Sequence, residues 1–133
     1  MYYFAYASNL DRKQMLARCP DSKPRFTAVL PNYRLIFSGW SRTWHGGVAS
    51  IKPIKGEKVD GGVYEISERD LRQLDKFEGY PAVYDRREFL VFSEDDEAVK
   101  AVAYLKREQG EETRPSAEYV ATIRQGYRDW GIT

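Results

Sequence analysis

Apolar positions open the chain in an unbroken run, Tyr2–Ala7, which predicts a strand buried on both faces. The pattern then changes at Ser8-Asn9. Asp11–Arg18 reads as a short helix that offers Leu10 and Met15 to the core and ends at Cys19-Pro20. Phe26–Leu30 and Tyr33–Ser38 read as strands around a Pro31-Asn32 turn, and Ser38–Gly47 as a loop with two tryptophans. From Gly47 to Ile54 the residues alternate, with Val48, Ser50 and Lys52 on one face and Ala49, Ile51 and Pro53 on the other. After a turn at Lys55–Lys58, Val59–Ile66 is a further strand, in which Gly61-Gly62 marks a bulge or a close backbone approach.

The second half follows the same logic. Ser67 is an N-cap with Asp70 three residues on, opening a helix over Glu68–Phe77 that places Leu71 and Leu74 on one face and stops at Gly79. Tyr84–Phe92 and Ala98–Lys106 form a hairpin about a solvated acidic turn at Glu94–Glu97. A polar loop, Gly110–Pro115, leads to Ser116, which caps a last helix where Tyr119, Ile123 and Tyr127 recur on one face before Gly131. There is no repeat and no linker, so residues 1–133 are expected to form one domain. The class is α+β. Strands this closely spaced do not suit a doubly wound sheet, so a mixed, barrel-like β-sheet with short inserted helices is predicted.

Charge narrows the function. Twenty-one Lys and Arg against 20 Asp and Glu leave +1, which gives no electrostatic reason to expect a nucleic acid or an anionic membrane as partner. Cys19 is the single cysteine and His45 the single histidine, so a disulfide framework and the usual zinc ligand sets are excluded. No apolar run approaches the roughly 20 residues that span a bilayer. No basic region or cleavage pattern precedes the first strand, and a cytoplasmic location is the expectation. Ten tyrosines are many for this length, and such side chains either pack or line polar cavities.

Candidate chemistry gathers at two places. A strand that feeds a helix through Ser8-Asn9 points unpaired N–H groups beyond the strand end, where they favour a carboxylate or an oxyanion; Ser8, Asn9 or Asp11 can equally serve as helix caps. Asp75 and Glu78 sit near the end of the Glu68 helix, where the dipole disfavours a carboxylate by about 0.3–1 kcal/mol. Enclosure would raise the pKa of Glu78 and suit it to accept and return a proton; the competing reading is a solvated glutamate at a helix end. Asp75 is assigned a structural role, bonding nearby backbone N–H groups. A Ser8–His45 pair would lack an orienting third group, and Cys19 reads as a small buried residue. Tyr84, Tyr104 and Tyr119 can each reach a central cavity.

"YFAYASNL" (Tyr3–Leu10) resembles the opening signature of the γ-glutamylcyclotransferase family, commonly Y-F-A-Y-G-S-N-[LM]. The likeness continues in order through "TWHGGVASI" (Thr43–Ile51), "GGVYEIS" (Gly61–Ser67), "LDKFEGY" (Leu74–Tyr80) and "RPSAEYVATIRQG" (Arg114–Gly126). The resemblance implies a pocket for a small γ-glutamyl substrate, with Tyr3, Tyr6, Ala7, Ser8 and Asn9 in the binding loop and Glu78 as catalytic acid/base. Tyr119, in the "PSxxY" block, and Tyr84 are implied to line the pocket. No metal and no cofactor are implied, and a homodimer is expected by analogy. Ala7 stands where the family usually has glycine; were φ positive there, alanine would cost roughly 1 kcal/mol. The alternative from another class is a non-catalytic small-molecule-binding or interaction protein that keeps the fold.

Overall fold

Tyr2–Ala5 forms the first strand, β1, in a computed structural model that describes all residues from 1 to 133. A single 3-10 turn over Ser8–Leu10 follows, then α1 (Arg12–Arg18), β2 (Lys23–Ser41), β3 (Gly46–Glu65), α2 (Glu68–Glu78), β4 (Tyr84–Ser93), β5 (Ala98–Lys106) and α3 (Ala117–Trp130). The strands close into a barrel in the order β1-β3-β2-β4-β5. Pairing is antiparallel except between β1 and β5, which meet in parallel at Tyr3 and Val102, so the sheet is mixed. No helix is long and apolar enough to cross a membrane.

The expected β1 is too long by two residues. It pairs with β3 from Tyr2 opposite Glu65 to Ala5 opposite Gly62, and Tyr6-Ala7 then leave the sheet. The pairing is tight because Gly61 and Gly62 carry no Cβ. One built at Gly61 would lie 2.3 Å from the Ala5 carbonyl oxygen, and one at Gly62 would lie 2.7 Å from the Trp130 indole. Strand alternation sends Phe4 into the barrel and Tyr3 and Ala5 outward beneath the helices, so both faces are buried.

Two of the expected turns do not separate strands. β2 and β3 run as a continuous ribbon of 19 and 20 residues, well beyond the usual strand length. The register shifts between Pro31, opposite Lys58, and Tyr33, opposite Pro53. Asn32 takes a left-handed φ of 64° there, and its Oδ1 accepts from the Gly56 N–H at 3.0 Å. The two turn signals thus face each other and bond, and pairing resumes beyond them. The loop expected over Ser38–Gly47 shrinks likewise to the four residues between β2 and β3, with His45 exposed at φ 57°.

The helices cap as expected, α2 one residue longer. Ser67 and Asp70 form a reciprocal capping box, and Gly79 ends α2 in the left-handed region at φ 64°. Ser116 caps α3 by accepting from the Tyr119 N–H at 3.2 Å. Gly126 lets α3 press onto the 3-10 turn: a Cβ there would lie 2.4 Å from Leu10 Cβ. That approach packs the turn against α3.

Candidate active site

The 3-10 turn is closed by the Leu10 N–H to the Ala7 carbonyl (3.1 Å) and the Asp11 N–H to the Ser8 carbonyl (3.0 Å). In such a turn the preceding N–H groups, those of Ala7, Ser8 and Asn9, have no acceptor within it. Its outer carbonyls are taken: Tyr64 O–H donates to Asn9 O at 2.7 Å, and Trp130 Nε1 donates to Leu10 O at 2.8 Å. The side chains of Ser8 and Asn9 do not cap α1. Asp11 does, accepting from the Gln14 N–H at 3.1 Å. Ser8 and Asn9 are instead held from α1 by Gln14, whose Nε2 donates to Ser8 Oγ (3.0 Å) and Asn9 Oδ1 (3.1 Å), and by Arg18, which donates to Asn9 Oδ1 at 3.2 Å. Ala7 has φ −137°, outside the left-handed region, so alanine carries no left-handed penalty at this position.

Above this turn lies a small cavity of about 40 Å³. Tyr3, Tyr6, Ala7, Ser8, Asn9, Glu78, Tyr84 and Tyr119 all line it, joined by Ala49 and Tyr104. It adjoins an outer vestibule of about 430 Å³ whose wall shares Ser8, Glu78, Tyr84 and Tyr119. Glu78, the last residue of α2, therefore stands between an inner and an outer space.

The tyrosine hydroxyls divide by what they bond. Tyr6 donates to the Tyr104 carbonyl at 2.5 Å and Tyr84 to the Ala49 carbonyl at 2.7 Å, so both protons are committed. Tyr3 accepts from Asn9 Nδ2 at 3.1 Å, and Tyr119 accepts from the Ala49 N–H at 3.0 Å. Each of these oxygens keeps its own proton for the cavity. All four phenols are pushed above the ordinary tyrosine range, first by burial and further by the negative charge of Glu78, so they remain neutral donors.

Glu78 titrates unusually. Desolvation pushes its carboxyl up to about 7, opposed in part by the positive charge of Arg18. No hydrogen bond from the protein supports its charged form, and the negative pole of α2 adds to the cost of ionisation. Asp75, one turn earlier, is different. It accepts from Tyr104 O–H at 2.6 Å and from Arg86, so its partners are side chains rather than the expected backbone N–H groups. His45 lies outside the cavity wall, which leaves Ser8 without an imidazole there.

The family model described as "Gamma-glutamyl cyclotransferase, AIG2-like" matches residues 3–123, a span that includes every cavity residue. The chain belongs to this family. It is similar to the gamma-glutamylcyclotransferase of Homo sapiens, at 31% identity over 98% of this chain and 71% of the human protein. The Bos taurus protein of the same name gives the same identity and coverage. Among solved structures, one described as a gamma-glutamyl cyclotransferase superposes with a TM-score of 0.94 at 30% identity, covering 99% of this chain and 80% of that one. YkqA from Bacillus subtilis superposes at 0.82 with 26% identity, covering 98% of this chain and 49% of its own. The α+β class and the barrel-like sheet are those of the family.

Gln14 and Arg18 are the site-supporting residues that sequence reasoning missed. Their spacing of four on a helix starting just after Ser8-Asn9 puts two donors on one face toward that turn, and this was the available signal. Ala49 offered none, because only the fold shows that its N–H and carbonyl meet two tyrosines.

Proposed function

We propose that this member of the gamma-glutamyl cyclotransferase family converts a γ-glutamyl amide into 5-oxoproline and a free amine or amino acid, with Glu78 as the acid/base. The observation that carries this reading is a carboxylate facing a cavity, unpaired within the protein and poised near neutral pH by burial. Glu78 takes a proton from the substrate α-ammonium. The α-nitrogen attacks the γ-carbonyl, closing the five-membered lactam, and Glu78 returns the proton to the departing nitrogen as the amide C–N bond breaks. The α-nitrogen loses two protons in all, and the leaving amine gains both and departs as an ammonium. Well-oriented intramolecular attack gains up to about 7–11 kcal/mol, so holding the substrate folded is a large part of the task. The N–H groups of the Ala7–Asn9 turn and the free hydroxyls of Tyr3 and Tyr119 are suited to hold the substrate carboxylate and the developing oxyanion.

The test is release of 5-oxoproline from γ-glutamyl amino acids by the wild type and by Glu78→Gln. Release by the wild type and its loss in a folded variant that still binds substrate is the expected result. Equal traces from the two proteins would remove Glu78 from the mechanism. Binding without turnover in both would favour the alternative, a non-catalytic binding protein.

A further inference from the structure

The vestibule outside Glu78 is unevenly lined. Of the large hydrophobic side chains the fold leaves exposed, Trp40 (71%), Phe77 (53%) and Val83 (53%) all border it. Its cations are Arg18, Lys76 and Lys106, and Glu78 is the sole acid in its wall. None of these cations takes part in an ion pair. Arg18 is already engaged, bonded to Asn9 and lying 4.5 Å over the Phe77 ring.

Lys106 is the cation with most to offer. It is half-buried at the end of β5, and its Nζ donates to the Ser38 carbonyl at 3.0 Å. An ammonium has three donors, so two remain. The ammonium occupies space that a side chain at 39 would fill: Gly39 has φ +69°, and a Cβ there would lie 2.4 Å from Nζ. Partial burial without a counter-ion pulls the Lys106 pKa down. A carboxylate placed in the vestibule would offset that desolvation.

Resting on the cyclisation reading of the same site, we propose that the vestibule selects the leaving group: Lys106 receives a free carboxylate, and Trp40 and Phe77 flank a large apolar side chain. The favoured substrates are then γ-glutamyl amides of bulky apolar amino acids, and simple amines leave less readily. A merely structural Lys106 would clamp the chain at Ser38 and affect every ligand equally.

Calorimetric titration of the Glu78→Gln protein separates these roles, because it reads binding without turnover. The probes are γ-glutamyl-phenylalanine and γ-glutamyl-phenethylamine, which differ only in the carboxylate. The first is expected to bind on the order of tenfold tighter. Adding Lys106→Met reduces that ratio to within about twofold, while Lys106→Arg keeps it. The exposed Trp40 gives a second variant with no folding risk: Trp40→Ala reduces the preference for γ-glutamyl-phenylalanine over γ-glutamyl-alanine by about fivefold. Equal affinity for the two probes, no binding of either, or equal weakening of both by Lys106→Met overturns the proposal. Should the preference appear in binding while the wild type releases no 5-oxoproline, the reaction fails and the vestibule assignment stands. Turnover of both probes with equal kcat/KM and equal affinity gives the reverse.

Discussion

At its first turn α2 buries Asp70 completely, and at its last turn it presents Glu78 to the cavity. The two carboxylates belong to one helix of 11 residues, yet their surroundings are opposite. Asp70 Oδ2 accepts from the Ser67 N–H and Oδ1 from the Asp21 N–H, both at 3.3 Å, at the helix end whose dipole favours negative charge. Glu78 has no donor from the protein, at the end whose dipole opposes it. Asp75 lies between them in sequence and is tied to Arg86 and Tyr104. A buried acid supplied with donors holds a fold together. A half-buried acid denied them costs stability when ionised, and it is free to exchange its proton with something that enters.

Removing each acid in turn tests that contrast. Glu78→Gln should lower kcat/KM for γ-glutamyl amides by about 10²–10⁴-fold, the usual contribution of a positioned acid/base, with the fold intact by circular dichroism. Asp70→Ala should do the reverse. It removes the Asp70 half of the capping box and leaves the Asp21 and Ser67 N–H groups without their carboxylate, costing on the order of 3 kcal/mol in urea unfolding while the folded fraction keeps its turnover.

The same contrast predicts a pH dependence. Glu78 has a folded pKa of about 7 against an ordinary value of 4.5, so between these values the folded protein holds a proton that the unfolded chain has released. Its contribution to stability is fully present below the ordinary value and is lost as pH rises through the folded one. Glu78→Gln should therefore match the wild type in acid and become the more stable protein above neutrality, by up to about 3 kcal/mol. Denaturant melts of both at several pH values give the difference curve; a constant offset would mean that Glu78 titrates normally. In turnover, the acid limb of the kcat/KM profile should have its midpoint near this same folded pKa, and a limb centred near the ordinary carboxylate value would count against the assignment.

How far the sequence disclosed this contrast differs between the two ends. The Ser67–Asp70 box is a local pattern and was legible directly, as were Gly79, Ser116 and the α3 stripe of Tyr119 and Ile123. The oddity of Glu78 was legible only as a carboxylate at the wrong end of a helix, since its enclosure depends on β1, β4 and α3 meeting there. Ribbon continuity was hidden because Pro31-Asn32 and Lys55–Lys58 each carry sound turn chemistry, and only their mutual bond turns two stops into one irregularity. The divided roles of the tyrosines were not legible either, because donor and acceptor depend on which backbone group each hydroxyl reaches.

Ala49 makes the last and smallest prediction a sharp one. Its carbonyl receives the Tyr84 proton and its N–H is received by the Tyr119 oxygen, so two phenols grip the backbone of one residue. Either phenylalanine substitution orphans one buried backbone group, and each should cost about 1 kcal/mol of stability. Their effects on the reaction should differ. Tyr84→Phe removes a hydroxyl whose proton already serves the backbone, and kcat/KM should fall by less than about twofold beyond what unfolding explains. Tyr119→Phe removes a proton still available to the cavity, and kcat/KM should fall by about tenfold, the worth of one good hydrogen bond to developing charge. Equal stability losses with unequal kinetics would separate holding the cavity open from acting within it. Equal kinetic losses would mean that the Tyr119 hydroxyl, like that of Tyr84 and like the carboxylate of Asp70, serves the fold alone.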